Sequence, residues 1–127
     1  MSLLASKLQS KGLNFKEEGG LLKGIYQLSG GRSQLFFLDP DADHFMGMGD
    51  YDFMSVVGSS TDAVKVRQAC ERVGGMKRGG IVVRQGQIMV KMEVPTEISD
   101  DSLMAHVVAV CTLADELEQE LFTGDRW

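Results

Sequence analysis

Three aspartates at alternate positions are the strongest candidates for chemistry in this sequence. Asp39, Asp41 and Asp43 follow the apolar run LFFL at residues 35–38. Carboxylates at alternate positions begin the loops that wrap a calcium ion, in which the first, third and fifth residues supply oxygen ligands. One interpretation of residues 39–50 is therefore a loop that senses calcium or another small ligand.

The rest of this segment departs from the calcium-loop pattern. The sixth loop position requires glycine for a sharp turn, and the twelfth requires a glutamate that binds through both oxygens. His44 and Asp50 occupy these two positions. Aspartate also favours ordinary turns, because its side chain bonds to nearby backbone groups. A solvated turn between two strands is therefore the main interpretation, and the sensor is the alternative.

Other residue types that perform catalysis or bind metals are few and scattered. The two cysteines, Cys70 and Cys111, are not spaced with the two histidines as a four-ligand zinc site requires, and we expect both thiols to be buried and free. The glycine-rich segment GGMKRGG, residues 74–80, lacks the serine or threonine that follows Gly-Lys in a phosphate-binding loop. The sequence therefore predicts no catalytic residue and no cofactor, and no metal site apart from the aspartate alternative.

Charge and composition exclude several classes of function. The chain has 127 residues, a net charge of −5 and 43% hydrophobic residues, which is the balance of a folded domain. Negative charge disfavours binding to nucleic acid or to anionic membranes. No apolar run approaches the roughly 20 residues of a membrane span. We therefore expect a single cytoplasmic domain over residues 1–127 whose partner is another protein.

Glycine pairs and hydrophobic periodicity divide the chain into helices and strands. The predicted helices cover residues 2–12, 61–73 and 99–121. The predicted strands cover residues 21–28, 33–38 and 50–57, followed by a hairpin at 80–95. Short connections favour antiparallel neighbours. The expected fold class is α+β, in the order helix, three strands, helix, two strands, helix, with a mostly antiparallel five-stranded sheet packed with helices.

Apolar residues lie on both faces of several predicted strands. Phe36 and Leu38 point to one side of the sheet and Leu35 and Phe37 to the other, because successive strand residues face opposite ways. The chain also has eight methionines, a residue type common at surfaces that accept varied partners. The second sheet face must therefore be covered by a helix, by a second copy of the chain or by a bound peptide segment.

The element order, the size, the acidity and the long last helix SDDSLMAHVVAVCTLADELEQEL resemble those of the type III secretion chaperones, which are small acidic bacterial proteins. The same features of this sequence are also similar to those of the related YbjN-like family of sensory-transduction regulators. The resemblance covers nearly the whole chain and rests on no catalytic or binding motif. It implies a homodimer that binds other proteins without chemistry. The secretion chaperones hold an effector's extended N-terminal segment along apolar grooves.

We therefore expect a non-enzymatic protein-binding module that holds a partner segment on apolar patches. The candidate patch residues are Leu4 and Leu8 on the first helix, with Phe36, Leu38 and Met54 on strands. Burial in the core is an equally good interpretation of these five residues. Substitution of Leu8 by aspartate separates the two interpretations, because loss of partner binding alone indicates a surface residue and global unfolding indicates a core residue.

Overall fold

The computed structural model describes residues 3–39, 44–45, 48–74, 79–95 and 98–122. Its helices are α1 (Leu3–Ser10), α2 (Ala63–Arg72) and α3 (Asp100–Phe122). Its strands are β1 (Phe15–Glu18), β2 (Leu21–Gln27), β3 (Ser33–Asp39), β4 (His44–Phe45), β5 (Met48–Ser59), β6 (Gly79–Arg84) and β7 (Gln87–Pro95). Within these ranges, no helix is both long enough and apolar enough to cross a membrane.

Six strands form one antiparallel sheet in the order β1-β2-β3-β5-β7-β6. The predicted α+β class, with three helices and an antiparallel sheet, is therefore confirmed, but the predicted count of five strands is wrong. The missed edge strand β1 has the sequence FKEE, whose three charged residues give no apolar alternation. It forms because a tight turn at Gly19 and Gly20, both with positive φ, pairs it with β2.

The acidic segment after β3 contains more strand than the sequence predicts. Asp39 is the last residue of β3, and β5 begins at Met48 rather than at residue 50. The short strand β4 pairs with the start of β5, with His44 opposite Gly49 and Phe45 opposite Met48. The interpretation as a solvated turn is thus wrong for residues 44–45, while residues 40–43 lie outside the described residues.

One face of the sheet packs against the helices and forms the core. Helix α3 contributes an apolar seam, in which five residues are at most 2% exposed: Leu103, Val107, Val110, Ala114 and Leu117. The last buried position of α3 is Phe122, whereas the preceding Leu121 is only half-buried. Gly58 explains this, because a Cβ atom there would lie 2.7 Å from the Phe122 ring. The missing side chain leaves room for the ring.

Helix α2 is capped by Asp62, whose carboxylate accepts hydrogen bonds from the backbone N–H groups of Val64 and Lys65. Ala69 is its buried residue, and Val73, directly after the helix, is also buried. Cys70 follows Ala69 by about 100° around the helix and is exposed. The expectation of a buried thiol is therefore wrong for this cysteine.

The other cysteine, Cys111 of α3, is buried as expected. Burial raises the pKa of the Cys111 thiol to about 12, although a hydrogen bond with Ser55 lowers it in part. The thiol is therefore protonated at neutral pH. A protonated, buried thiol is a poor nucleophile, so Cys111 acts as a core residue.

Candidate functional site

The residues predicted to bind a partner do not form one surface. Leu8, Phe36 and Leu38 are at most 2% exposed and belong to the core beneath the helices, because strand alternation aims both β3 side chains at the helices. Met54 is also buried, but its register with Phe37 places it on the opposite sheet face. The positions of Leu8, Phe36 and Leu38 favour the core interpretation, and a binding role for them stays a prediction.

Leu4 lies in α1, but its side chain is outside the described part of the structure. Its predicted role in partner binding therefore also stays a prediction. Leu4 and Leu8 are four residues apart, which places them on the same face of a helix.

The carboxylates of the sensor alternative are only partly within the described residues. Asp39 stands opposite Asp52 in the sheet, and Asp52 stands opposite Glu93. In the described ranges, no group of three or more acidic, histidine or cysteine residues could hold a metal ion. Asp41 and Asp43 lie outside those ranges, so a calcium site remains a prediction.

Lys91 offsets part of the repulsion in this acidic row. Its Nζ lies 3.4 Å from the Asp52 carboxylate and 3.6 Å from that of Glu93. Burial raises the pKa of Asp52, and the nearby Lys91 opposes that rise. The Lys91 ammonium group therefore stabilises this row of carboxylates.

The sheet face turned away from the helices carries an apolar row that is only partly covered. We call it the open-face patch, and it consists of Ile25, Leu35, Phe37 and Val56. Ile25 is 54% exposed, and the other three are half-buried. Ile25 lies opposite Leu35 in the sheet register. Because all three helices contribute to the core on the other face, the patch has no helix over it within the described residues.

A cavity of about 360 Å³ adjoins the open-face patch on the side of β1. Phe15, Lys16 and Lys23 line it together with Ile25 and Leu35. The Lys23 ammonium group also lies 6.0 Å from the centre of the Phe37 ring, at the limit of a cation–π contact. The patch therefore has an apolar floor, a recess beside it, and a charged rim of Lys16, Lys23 and Glu18, the last of which pairs with Lys23 at 3.9 Å.

Strands β3 and β5 part before they end, and this leaves a gap that we call the sheet fork. Their register runs from Phe36 opposite Ser55 to Asp39 opposite Asp52, although β3 starts at Ser33 and β5 continues to Ser59. Side chains replace the missing ladder bonds. The Gln34 amide donates to the Val56 carbonyl, and the Ser55 hydroxyl donates to the Leu35 carbonyl at 2.6 Å.

A buried carboxylate of α3 lies behind the sheet fork. Asp115 is 3% exposed, and it accepts hydrogen bonds from Arg32 Nε at 3.0 Å and from Gln119 Nε2 at 2.8 Å. Such partners are needed because an unpaired buried charge is strongly unfavourable. The pair with Arg32 ties the turn before β3 to the helix.

Sequence reasoning missed Asp115, because the segment DELEQEL at residues 115–121 reads only as the acidic, amphipathic second half of the last helix. Its partner Arg32 lies 83 residues away, and no local pattern connects the two. One signal was present. Asp115 follows the buried Cys111 by four residues, which places it on the apolar side of α3.

The two outer edges of the sheet differ in their protection. Edge strands usually carry charges that prevent pairing with other chains, and β1 has three charged residues out of four. Strand β6 has the sequence GGIVVR, and its Val83 is 49% exposed. Its hydrogen-bonding partner among the described strands is β7 alone. The β6 edge is therefore open to pairing with another chain.

Comparisons with known proteins agree on the fold only. No family model matches this chain, and no curated protein matches it in sequence. A chain from the structure of the HopA1–SchA chaperone–effector complex is similar, with a TM-score of 0.64 and 12% sequence identity. The match covers 92% of this chain and 91% of that chain. This confirms the predicted likeness to a secretion chaperone at the level of fold, and it gives no support to the YbjN-like family.

Proposed function

We propose that this chain is a non-enzymatic, cytoplasmic protein-binding module that holds an apolar segment of a partner on the open-face patch. The observation that carries the proposal is the partly exposed row of Ile25, Leu35, Phe37 and Val56, on a sheet face that no helix of the described ranges covers. The fold likeness to a chain of a chaperone–effector complex supports the same role. The function needs no cofactor.

The patch has the means to bind an extended or helical segment. Covering an exposed isoleucine or a similar side chain contributes about 1.5–3 kcal/mol, and Ile25 is the most exposed member of the row. The adjoining cavity of about 360 Å³ can take an apolar side chain of the partner. Apolar burial on the patch would therefore provide most of the affinity, and the charged rim would set the orientation of the segment.

We expect Ile25→Glu to weaken partner binding by about tenfold or more, because it places a charge where an apolar contact forms. The partner is first identified by affinity purification and mass spectrometry, which also distinguishes a secretion effector from a regulatory target. Its affinity is then measured by calorimetry with the purified chain. Val64→Glu is the matched control, because Val64 is 56% exposed but lies on α2. Equal affinities for the two variants would refute the patch as the binding site.

We also propose that the chain forms a homodimer through the β6 edge. Antiparallel pairing of two β6 strands would satisfy backbone groups that face outwards at this edge and would cover Val83. A symmetric dimer uses the same surface on both copies, which two antiparallel β6 strands provide. The opposite edge, β1, is charged and short and is the poorer candidate.

Sedimentation equilibrium tests the dimer directly. We expect twice the chain mass of 13.9 kDa for the unmodified protein. Val83→Lys is expected to shift the mass to that of the monomer, because it places like charges close together across the edge. Glu17→Lys at the β1 edge serves as the control and is expected to remain dimeric. A monomeric unmodified chain at micromolar concentration would contradict the proposal.

A further inference from the structure

We propose that Arg84 is the anchor for a carboxylate of the bound segment, so that the partner carries an aspartate or glutamate near the apolar side chains that lie on the open-face patch. This inference rests on the proposed function, because it assigns the chemistry of a segment bound at that patch. Three features of Arg84 support it, namely its position on the sheet, the weak bond of its guanidinium group and the charges around it.

The side chain of Arg84 lies across the sheet face that is turned away from the helices. Arg84 belongs to β6, and one terminal nitrogen of its guanidinium group, Nη1, donates to the Met54 sulfur of β5 at 3.4 Å. Strand β7 lies between β6 and β5, so the side chain crosses a whole strand. It therefore points away from the β6 edge, and pairing of two β6 edges in a dimer would leave its guanidinium group available.

A small recess of about 80 Å³ places Arg84 beside the open-face patch. It is lined by Arg84 and by Phe37, a member of the patch, together with Met54 and Met89. In the sheet register, Met54 stands opposite Phe37, and Met89 stands opposite Val56 of the patch. Both methionines are at most 5% exposed, which agrees with an arginine side chain lying over this part of the sheet. One bound segment can therefore contact both the patch and Arg84.

The guanidinium group of Arg84 has only a weak acceptor among the residues that the structure describes. A thioether sulfur accepts hydrogen bonds poorly, and a guanidinium group has five N–H donors. Arg84 is exposed, and it forms no ion pair within the described ranges. A carboxylate can bind such a group through two parallel hydrogen bonds. An incoming acidic side chain would therefore gain a charge pair without displacing a carboxylate of these ranges.

The other ion pairs of the open sheet face also favour an acidic segment. Two of its lysines, Lys23 and Lys91, already pair with acidic side chains of the sheet. Lys16 and Arg84 have no such partner in the part of the chain that is described. Lys16 lines the recess next to Ile25, whereas Arg84 lies on the far side of the patch. The cations left for a partner thus flank the patch, and complementary charges select the matching partner.

The distance between the patch and the anchor determines where the carboxylate stands in the segment. Ile25 is opposite Leu35, and two residues further along β3 Phe37 is opposite Met54. Ile25 and Met54 are therefore two strand spacings and one diagonal step apart, which is about 12 Å. An extended chain covers that distance in about four residues. We expect the carboxylate about four residues from the apolar side chain that covers Ile25.

Two acetylated and amidated peptides test the anchor, namely Leu-Ser-Ile-Ser-Glu and the same peptide with glutamine in place of glutamate. Each is titrated into the full chain, while the backbone amide signals and the Nε–H signal of Arg84 are followed by NMR. We expect the glutamate peptide to bind about three- to fivefold more tightly, which is the strength of an exposed charge pair, and to shift the Arg84 signal. The glutamine peptide is expected to shift the signals of the patch alone.

Arg84→Met keeps an apolar side chain over the recess and removes the charge, so we expect it to bind the two peptides equally. Arg67→Met on α2 is the matched control, because Arg67 is exposed and its loss changes the net charge by the same amount. It is expected to keep the preference for glutamate. A preference retained in Arg84→Met would overturn the anchor. If that variant does not fold, an Arg84 signal of the unmodified chain that stays unshifted with the glutamate peptide overturns it.

The outcomes separate a failure of the anchor from a failure of the proposed function. Equal binding of both peptides to the unmodified chain, with shifts confined to the patch, overturns the anchor and supports the patch. If the glutamate peptide shifts the Arg84 signal but Ile25→Ser leaves its affinity unchanged, the anchor stands and the patch fails as the binding site. If neither peptide binds, the anchor is overturned, and the affinity of the partner for Ile25→Glu then decides the proposed function alone.

Discussion

Substitution of Leu8 by aspartate is expected to unfold the chain rather than to remove a binding contact. Leu8 of α1 is 0% exposed and belongs to the hydrophobic core. Loss of a buried leucine side chain costs about 2–5 kcal/mol, and burial of an unpaired carboxylate adds a further penalty. The sum is comparable with the total of about 5–15 kcal/mol that keeps a domain folded.

Thermal melting followed by far-ultraviolet circular dichroism measures this effect. Ser6→Asp is the matched control, because Ser6 is exposed on the same helix, and it is expected to change the free energy of unfolding by about 0.5 kcal/mol or less. We expect no cooperative melting transition for Leu8→Asp. A folded Leu8→Asp chain that has lost its partner would instead restore the interpretation of Leu8 as a binding residue.

The case of Leu8 shows why the sequence left two interpretations open. An apolar helix face that docks on its own sheet has the same pattern as one that docks on another protein. The contacts that hold α1 against its own chain join it to the start of α3. Lys11 Nζ lies 2.7 Å from the Asp101 carboxylate, 90 residues later in the chain, and Lys7 lies 3.9 Å from that of Asp100. No local pattern specifies these pairs.

Strand faces were predictable because alternation is a local property. The predicted opposite directions of Phe36 and Phe37 agree with their burial, since Phe36 is 2% exposed and Phe37 is half-buried. The sheet fork was not predictable, because it depends on where two distant strands stop pairing. On the other side of β5, its pairing with β7 shifts register between Val56 and Gly58, directly after the last β3 pair at Ser55. Only the side-chain bonds of Gln34 and Ser55 show how the gap is bridged.

Substitution of Gly24 by alanine is expected to destabilise the chain by about 2–3 kcal/mol, at the upper end of the usual effect of overpacking. A Cβ atom at Gly24 would lie 2.5 Å from the ring of Phe36 and 2.7 Å from the backbone carbonyl oxygen of Asn14. The ring is confined in the core. The carbonyl precedes Phe15, which is paired with Gly24 itself, so neither neighbour can move without disturbing the sheet.

Gly80→Ala in β6 is the matched control, because a Cβ atom there meets nothing within 4 Å. We expect its melting temperature to equal or slightly exceed that of the unmodified chain, since glycine in a strand costs conformational entropy. Equal melting temperatures of the two variants would show that β1 and Phe36 can shift without loss of stability. Gly24 also lines the cavity beside the open-face patch. Displacement of β1 would therefore reshape that cavity, and we expect Gly24→Ala to lose partner affinity together with stability.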